Sequence, residues 1–270
     1  NPKDFEDKFF DTNKNKKIFL TIDDAFLSFY EKAWPFLKKN KIPFVLFVST
    51  EPVGKNGYMS WDQIKEIEKY DFTAIGNHSH SHEYLVNYEF DSFKDDIDIS
   101  IETFRMKLGY NPKLFSYPFG EYSAEQKEYI KKNFKFAFGQ QSGVIDINKN
   151  YYELPRFPIN EKYGDLERFS FLIKLGPLEF NEISMNDMFL SKSDNPPELT
   201  VSFFEDQKGI DKINCFSNAG GSWGKPETNI LKNKLYIKFD QEFQTRRGRV
   251  NCSMQDDGLW RWFGLQFTFK

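Results

Sequence analysis

The three histidines of this chain, His78, His80 and His82, all lie within a single stretch of five residues. Histidines with unrelated structural roles would be scattered, so the clustering indicates a shared task. Imidazole nitrogen is a good ligand for Zn²⁺ and neighbouring transition metals. In a helix, His78 and His82 would share one face, whereas in an extended segment all three would lie on one side. Either arrangement predicts a metal site.

Two adjacent carboxylates, Asp23 and Asp24, end a short apolar run that begins at Ile18. One of them could bind the metal ion while its neighbour accepts a proton. Two buried carboxylates repel each other, and a cation shared with the histidines would make their proximity tolerable. Three protein ligands with an open fourth position are typical of a catalytic zinc site. Taken separately, the two groups could instead be a helix-capping Asp pair and a solvated His-rich turn.

These polar groups follow predicted strands. Apolar runs predict strands at 18–22, 44–48, 72–75, 113–117 and 134–138. Amphipathic segments between them predict helices at 28–40, 60–69, 91–108 and 123–133. This alternation indicates an α/β fold with a parallel sheet, open or closed into a barrel. In such folds the chemistry lies at the carboxyl ends of the strands, where the aspartates and the histidine run fall.

The pattern changes after residue 175. Short apolar segments separated by Gly and Asn turns predict an antiparallel, sandwich-like β domain over 176–270, and residues 1–175 form the first predicted domain. Cys215 and Cys252 could form a disulfide or remain two buried thiols. Residues 257–264 concentrate aromatic side chains, which could bind sugar rings or fill the core of the sandwich.

Charge and hydropathy exclude some classes of partner. A formal net charge of −3 gives no electrostatic basis for binding nucleic acid or an anionic membrane. No stretch approaches the ~20 apolar residues of a transmembrane helix. The chain begins at Asn1 without Met, so we expect a mature or trimmed form. A disulfide would favour a periplasmic, cell-surface or secreted location over the cytoplasm.

Three motifs occur in a fixed order: Thr21-Ile22-Asp23-Asp24, His78-Ser79-His80-Ser81-His82 and Tyr117-Pro118-Phe119-Gly120. In order and spacing they resemble the first three motifs of the polysaccharide deacetylases, the NodB-homology proteins of carbohydrate esterase family four. The resemblance covers about residues 16–160. It implies a distorted (β/α) barrel and hydrolysis of acetyl groups from an acetylated carbohydrate.

The resemblance also implies roles for individual residues. Asp23 would be the general base, and Asp24, His78 and His82 would hold one divalent metal ion, with Zn²⁺ the first expectation. The backbone N–H of Phe119 would donate to the oxyanion. Positions facing the substrate are expected at Tyr117, Pro118, Gly120 and His80.

The chain departs from the family pattern at two places. Ser116 stands where many members carry an Arg that orients the catalytic Asp, and Arg156 could supply that cation or form a structural salt bridge. No histidine follows His82, so the late histidine that serves many members as general acid is absent. His80, a metal-bound water or Asp23 itself could return the proton instead.

Three other functions are compatible with parts of this pattern. A catalytically impaired relative would bind glycans in the same cleft without turnover, although both aspartates are retained. A metallohydrolase of the amidohydrolase class would need further histidines later in the chain. A sugar-binding module without enzymatic activity would leave the histidine cluster unexplained. The sequence does not define the oligomeric state.

Overall fold

The computed structural model describes residues 2–10 and 17–270. The chain divides into two compact units that are interleaved along the sequence. Within the described residues, the first unit comprises positions up to Pro118, Glu125–Phe138 and Asn150–Glu153, and the second comprises Phe119–Ala124, Gly139–Lys149 and Leu154–Lys270. The boundary predicted between residues 175 and 176 falls inside the second unit. As a division between folding domains it stays a prediction.

A five-stranded parallel sheet forms the centre of the first unit. In pairing order its strands are β1 (Thr21–Ile22), β2 (Phe44–Val48), β3 (Thr73–Asn77), β4 (Leu114–Ser116) and β5 (Phe136–Phe138). All five residues of β2 are buried, as expected for a strand with both faces covered. The predicted parallel α/β architecture is confirmed. The first strand is shorter than the predicted run, because only Thr21 and Ile22 pair in register with β2.

Helices cover this sheet. They are α1 (Phe5–Phe9), α2 (Trp34–Asn40), α3 (Trp61–Glu68), α4 (Phe90–Leu108) and α5 (Ala124–Asn133). Helix α3 begins with a capping box in which the Ser60 and Gln63 side chains each bond the other's backbone N–H. Of the helices in the described residues, none is long and apolar enough to cross a bilayer.

The helix predicted over 28–40 is divided in the structure. Phe29–Ala33 forms a π-helical turn, and α2 begins only at Trp34. Pro35 is the physical reason, because it has no N–H to continue the bonding of an α-helix across this point. The predicted helix is therefore in the correct position, but it is not one continuous α-helix.

The second unit contains a short helix, α6 (Leu166–Leu172), and nine strands. The strands are β6 (Gly176–Pro177), β7 (Glu182–Ile183), β8 (Phe189–Leu190), β9 (Leu199–Ser202), β10 (Asn214–Ser217), β11 (Glu227–Leu231), β12 (Lys234–Lys238), β13 (Arg247–Asp256) and β14 (Leu259–Phe269). One sheet has the order β11-β12-β9-β7, and the other has the order β10-β13-β14-β6 with β8 also beside β14.

Both sheets contribute to one hydrophobic core. Leu199 and Leu235 come from the first sheet, and Val250 and Phe267 come from the second. This arrangement confirms a sandwich-like β domain. Its longer strands pair antiparallel as predicted, and the two-residue strands β6 and β8 each pair parallel to β14.

A disulfide joins the two cysteines. Cys215 on β10 and Cys252 on β13 are directly paired in register and buried in the core of the sandwich. Of the two interpretations that the sequence left open, the disulfide is the one that the structure contains.

Candidate metal centre and active site

Three side chains of the first unit converge on one point. Asp24 follows β1, and His78 and His82 lie in the loop after β3, so both segments leave the same edge of the parallel sheet. The Asp24 Oδ1 atom is 3.0 Å from His82 Nε2 and 3.5 Å from His78 Nε2. One ligand atom from each residue lies within 4.8 Å of the other two. An oxygen and two imidazole nitrogens at this spacing are compatible with one divalent metal ion.

The His78 imidazole is held in the form that binds metals. Its Nδ1 atom is 2.7 Å from the carbonyl oxygen of Ser116, which fixes Nδ1 as the donor and leaves Nε2 with a lone pair. Burial lowers the pKa of His78, and this effect exceeds the opposing influence of Asp23 and Asp24. The neutral ring is therefore favoured at physiological pH.

Two buried atoms of this group have no hydrogen-bond partner among the described residues. They are His78 Nε2 and Asp24 Oδ1, which lie 3.5 Å apart, and Asp24 Oδ1 also lies 3.0 Å from His82 Nε2 in a contact that is not a hydrogen bond. Buried polar atoms are almost always hydrogen-bonded, so ligand atoms that lie this close together without hydrogen bonds fit a site built for a cation. The donor set of Asp24, His78 and His82 therefore fits a metal ion.

Asp23 lies beside this group without belonging to it. Its Oδ2 atom is 3.9 Å from His78 Nε2, and about a fifth of its side chain is exposed. A carboxylate next to the ligands and open to solvent is placed to exchange a proton with a reacting molecule.

The backbone after β1 adopts an unusual conformation that aims the aspartates. Asp24 and Ala25 both have positive φ values, of 74° and 53°. Such angles are uncommon for residues with a Cβ and are favoured by glycine. Strain of this kind concentrates at functional sites.

The histidine loop is neither helical nor extended. Ser79 and His82 have positive φ values, of 71° and 58°, so the chain turns at both positions. His78 and His82 consequently converge, and their ring centroids are 4.8 Å apart. His80 is directed elsewhere, and its Nδ1 atom is 2.8 Å from Thr50 Oγ1.

A residue that sequence reasoning missed anchors this loop. The buried Asp96 of α4 accepts hydrogen bonds from the backbone N–H groups of His80 and Ser81, at 2.8 and 3.0 Å. The available signal was an aspartate in the buried stripe of α4, next to Ile97 and three residues after Phe93. A carboxylate at such a position requires buried partners.

The loop of the third motif belongs to the second unit from Phe119 onward. Phe119 has a positive φ of 59°, and Gly120 follows with a φ of 69°. A Cβ atom at Gly120 would lie 2.4 Å from the backbone nitrogen of Gln140, so only glycine fits there. The Gln266 side chain of β14 donates hydrogen bonds to the carbonyl oxygens of Phe119 and Gly120, at 3.1 and 3.2 Å.

A buried carboxylate next to this loop pairs with two arginines. Glu121 accepts from Arg246 Nε at 2.9 Å and lies 3.5 Å from Arg247 Nε, while its own side chain is almost fully buried. The Arg247 guanidinium also lies 5.8 Å from the centre of the Phe119 ring. These arginines therefore support the third-motif loop from within the second unit.

The remaining predicted site residues have separate surroundings. Tyr117 is fully buried in the first unit, and burial raises the pKa of its hydroxyl well above the ordinary value, which favours a structural role. Arg156 in the second unit donates from Nε to the carbonyl oxygen of Gly139, at 2.9 Å. The assigned roles of Arg156, Tyr117, Pro118, Gly120 and His80 stay predictions.

The aromatic residues at 257–264 were predicted either to bind sugar rings or to fill the core of the sandwich, and they differ in their surroundings. Phe263 belongs to the core of the sandwich. Trp262 is half-buried and packs edge-on against Phe157, whereas Trp260 is 42% exposed and contacts Phe171. Only Trp260 therefore presents a substantial face to solvent within this run.

A comparison with known protein families tests the resemblance seen in the three motifs. Residues 10–135 match the model of a family described as polysaccharide deacetylase. This region of the chain is similar to that family. The resemblance seen in the three motifs is thereby confirmed.

Curated relatives of the deacetylase region occur in bacteria. A poly-beta-1,6-N-acetyl-D-glucosamine N-deacetylase of Staphylococcus aureus is 27% identical over 158 residues, which cover 53% of this chain and 54% of the relative. The chain thus spans about half the length of the curated relatives that it matches.

Solved structures share the deacetylase fold. The Streptococcus pyogenes deacetylase PplD, in complex with acetate, aligns with a TM-score of 0.59 and 21% identity, over 64% of this chain and 78% of that one. The polysaccharide deacetylase BC0361 from Bacillus cereus aligns with a TM-score of 0.56 and 23% identity, over 63% and 55%. The predicted distorted (β/α) barrel of the NodB-homology type is confirmed, and the further β-sheets are consistent with the predicted second domain.

Proposed function

We propose that this protein is a metal-dependent hydrolase that removes acetyl groups from a carbohydrate. One observation carries the proposal: in a chain whose residues 10–135 match the polysaccharide deacetylase family, Asp24, His78 and His82 converge beside the carboxylate of Asp23. A glycan-binding relative without activity would not need a base at that position. Retention of both aspartates therefore favours the enzyme.

Asp24, His78 and His82 would hold the metal ion, and Zn²⁺ is the first candidate because two imidazoles and one carboxylate suit it. A metal ion bound there would supply Lewis acidity, which activates water and polarises the acetyl carbonyl.

Asp23 is the proposed general base. It would accept a proton from the attacking water as the water oxygen adds to the acetyl carbonyl carbon. The backbone N–H of Phe119 would donate to the resulting oxyanion, a contribution that typically amounts to about 10²–10³ in rate. Collapse of the intermediate breaks the bond to the sugar nitrogen or oxygen. Because no histidine follows His82, we assign the return of the proton to the leaving group to Asp23 itself.

An N-acetylated amino-sugar polymer is the substrate class that we propose to test first. The S. aureus relative, named as an N-deacetylase of poly-beta-1,6-N-acetyl-D-glucosamine, supports this choice at 27% identity. We also propose a periplasmic, cell-surface or secreted location, because the Cys215–Cys252 disulfide would persist in an oxidising compartment.

Substitution of the proposed base tests this function. The purified protein, loaded with Zn²⁺, is incubated with N-acetylglucosamine oligomers, and released acetate is measured. We expect acetate from the wild type and a loss of about 10²–10⁴ in kcat for Asp23→Asn, because the amide cannot accept the proton. The exposed Asp71→Asn is the matched control, with wild-type rates expected. Equal rates for Asp23→Asn and wild type would contradict the assignment of the base.

A further inference from the structure

The histidine loop is held by side-chain acceptors at four consecutive backbone N–H groups. Ser79 donates to Asn77 Oδ1, His80 and Ser81 donate to the two oxygens of Asp96, and His82 donates to Ser79 Oγ. All four distances lie between 2.8 and 3.2 Å. Such a loop has no regular secondary structure to satisfy these groups, so its shape depends on the acceptors.

The carbonyl side of the same loop is also fixed. The backbone N–H groups of Thr50 and Glu51, just beyond β2, donate to the carbonyl oxygens of Ser79 and His80, at 3.1 and 3.0 Å. The loop therefore lies between the end of β2 on one side and helix α4 on the other. Asp96 supplies two of the four acceptors and is the one charged residue among them.

Helix α4 is hydrogen-bonded to the end of β3 near Asp96. Its Ser100 accepts from Asn77 Nδ2 at 2.8 Å and is fully buried, as is Asn77. The Asp96 side chain is thus presented from a buried helix face, on a rigid element rather than on a neighbouring loop. A carboxylate that accepts two N–H bonds in such surroundings defines the distance between the loop and the helix.

The geometry points to a positioning role for Asp96. We propose that Asp96 sets the conformation of residues 79–82, and through it the separation of the His78 and His82 nitrogens that receive the metal ion. Asp96 makes no contact with the proposed ligand atoms, so it acts through the backbone. This inference rests on the metal centre of the proposed function, and it adds a residue outside the three motifs.

Replacement by asparagine changes this contact with little change in shape. The side chain of Asp96→Asn retains one acceptor oxygen and presents an NH₂ group to the second backbone N–H, so one bond is lost and two donors face each other. Loss of a partner that orients metal ligands typically weakens metal binding by 10–100-fold. We therefore expect the Kd for Zn²⁺ of Asp96→Asn to rise by about 10–100-fold.

The matched control is Asp95→Asn, which makes the same change at the neighbouring exposed position of α4. Zn²⁺ affinity of the full chain is measured by competition with a chromophoric chelator after metal removal, with thermal unfolding recorded for each variant. We expect wild-type Kd for Asp95→Asn. In the metal-free proteins, amide hydrogen exchange at His80 and Ser81 should be faster in Asp96→Asn alone.

A purely structural role would lower the unfolding temperature of Asp96→Asn and leave the Kd of the folded protein unchanged, and that result overturns the proposal. If Asp96→Asn does not fold, Asp96→Glu moves both acceptors outward by one carbon and should raise the Kd by a smaller factor. A folded Asp96→Glu with wild-type Kd also overturns it. Metal affinity is read without turnover, so a protein that binds Zn²⁺ as expected but releases no acetate contradicts the proposed function and leaves this inference standing.

Discussion

At the scale of single residues, the two outer histidines differ from the middle one for a reason that lies in the backbone. Positive φ values at Ser79 and His82 turn the chain so that His78 and His82 face Asp24, while His80 bonds Thr50. The sequence supported helical or extended spacing, and the loop has neither. Residue types and clustering predicted the metal site, but its geometry depends on turns that no propensity of Ser or His encodes.

Substitution of individual histidines distinguishes their roles. We expect His82→Ala to weaken Zn²⁺ binding by at least about 10²-fold, because it removes a proposed ligand. His80→Ala should change the Kd by less than about 10-fold, since it affects only a neighbouring contact. Chelator competition measures both values. Similar losses for the two variants would contradict the assignment of His82 as a ligand.

At the scale of secondary-structure elements, Glu66 links α3 to α2 and to the π-helical turn that precedes α2. Glu66 of α3 accepts hydrogen bonds from the Tyr30 hydroxyl, from Lys38 Nζ at 2.9 Å and from Trp34 Nε1 at 3.4 Å. The Tyr30 and Lys38 bonds are the main reason that the pKa of Glu66 is lowered from 4.5 to about 2. This cluster connects the π-helical turn, α2 and α3 on one side of the sheet.

The pH dependence of stability tests this cluster. Because the pKa of Glu66 is lower in the folded state, its contribution is present above pH 4.5 and is lost as pH falls toward about 2. Its side chain is 35% exposed, so solvent screening reduces the contribution to about 1 kcal/mol. Chemical unfolding should therefore show Glu66→Gln less stable by about that amount at pH 7, with the difference from wild type shrinking in acid. The exposed Glu31→Gln should behave as wild type at every pH, and a pH-independent deficit for Glu66→Gln would contradict the ionic explanation.

The elements were largely predictable because their signals are local. The five apolar runs gave the strands of the parallel sheet, and Ser60 with Gln63 marked the start of α3. The π-helical turn at Phe29–Ala33 and the parallel pairing of β6 and β8 were not predicted. The parallel pairing depends on tertiary packing, since two-residue strands carry no periodicity that a sequence pattern can reveal.

At the scale of the whole molecule, the last strand of the chain supports the third family motif. The Gln266 side chain on β14 donates hydrogen bonds to the carbonyl oxygens of Phe119 and Gly120. Arg246 and Arg247 form ion pairs with Glu121, the residue after Gly120. Contacts across more than 120 residues of sequence cannot be inferred from local composition.

Removal of the Gln266 amide should affect the reaction if the Phe119 N–H acts as proposed. We expect Gln266→Leu to lower kcat by about 10–100-fold with little change in KM. The backbone N–H of Phe119 is proposed to stabilise the transition state, and a small displacement of that group is costly. Acetate release by the Zn²⁺-loaded protein provides both constants. The exposed Gln255→Leu on β13 is the control, with wild-type kinetics expected. A folded Gln266→Leu variant with unchanged kcat would contradict a role for Gln266 in the reaction.

The interleaving of the two compact units has a consequence for how this gene product can be shortened. The second unit draws on three separate stretches, Phe119–Ala124, Gly139–Lys149 and Leu154–Lys270. No single stop codon or protease cut separates one unit, with all of its parts, from every part of the other. A fragment that ends near residue 175 would retain every family motif yet lack Gln266, Arg246 and Arg247. Loss of residues 176–270 therefore removes the supports of the third motif along with the sandwich.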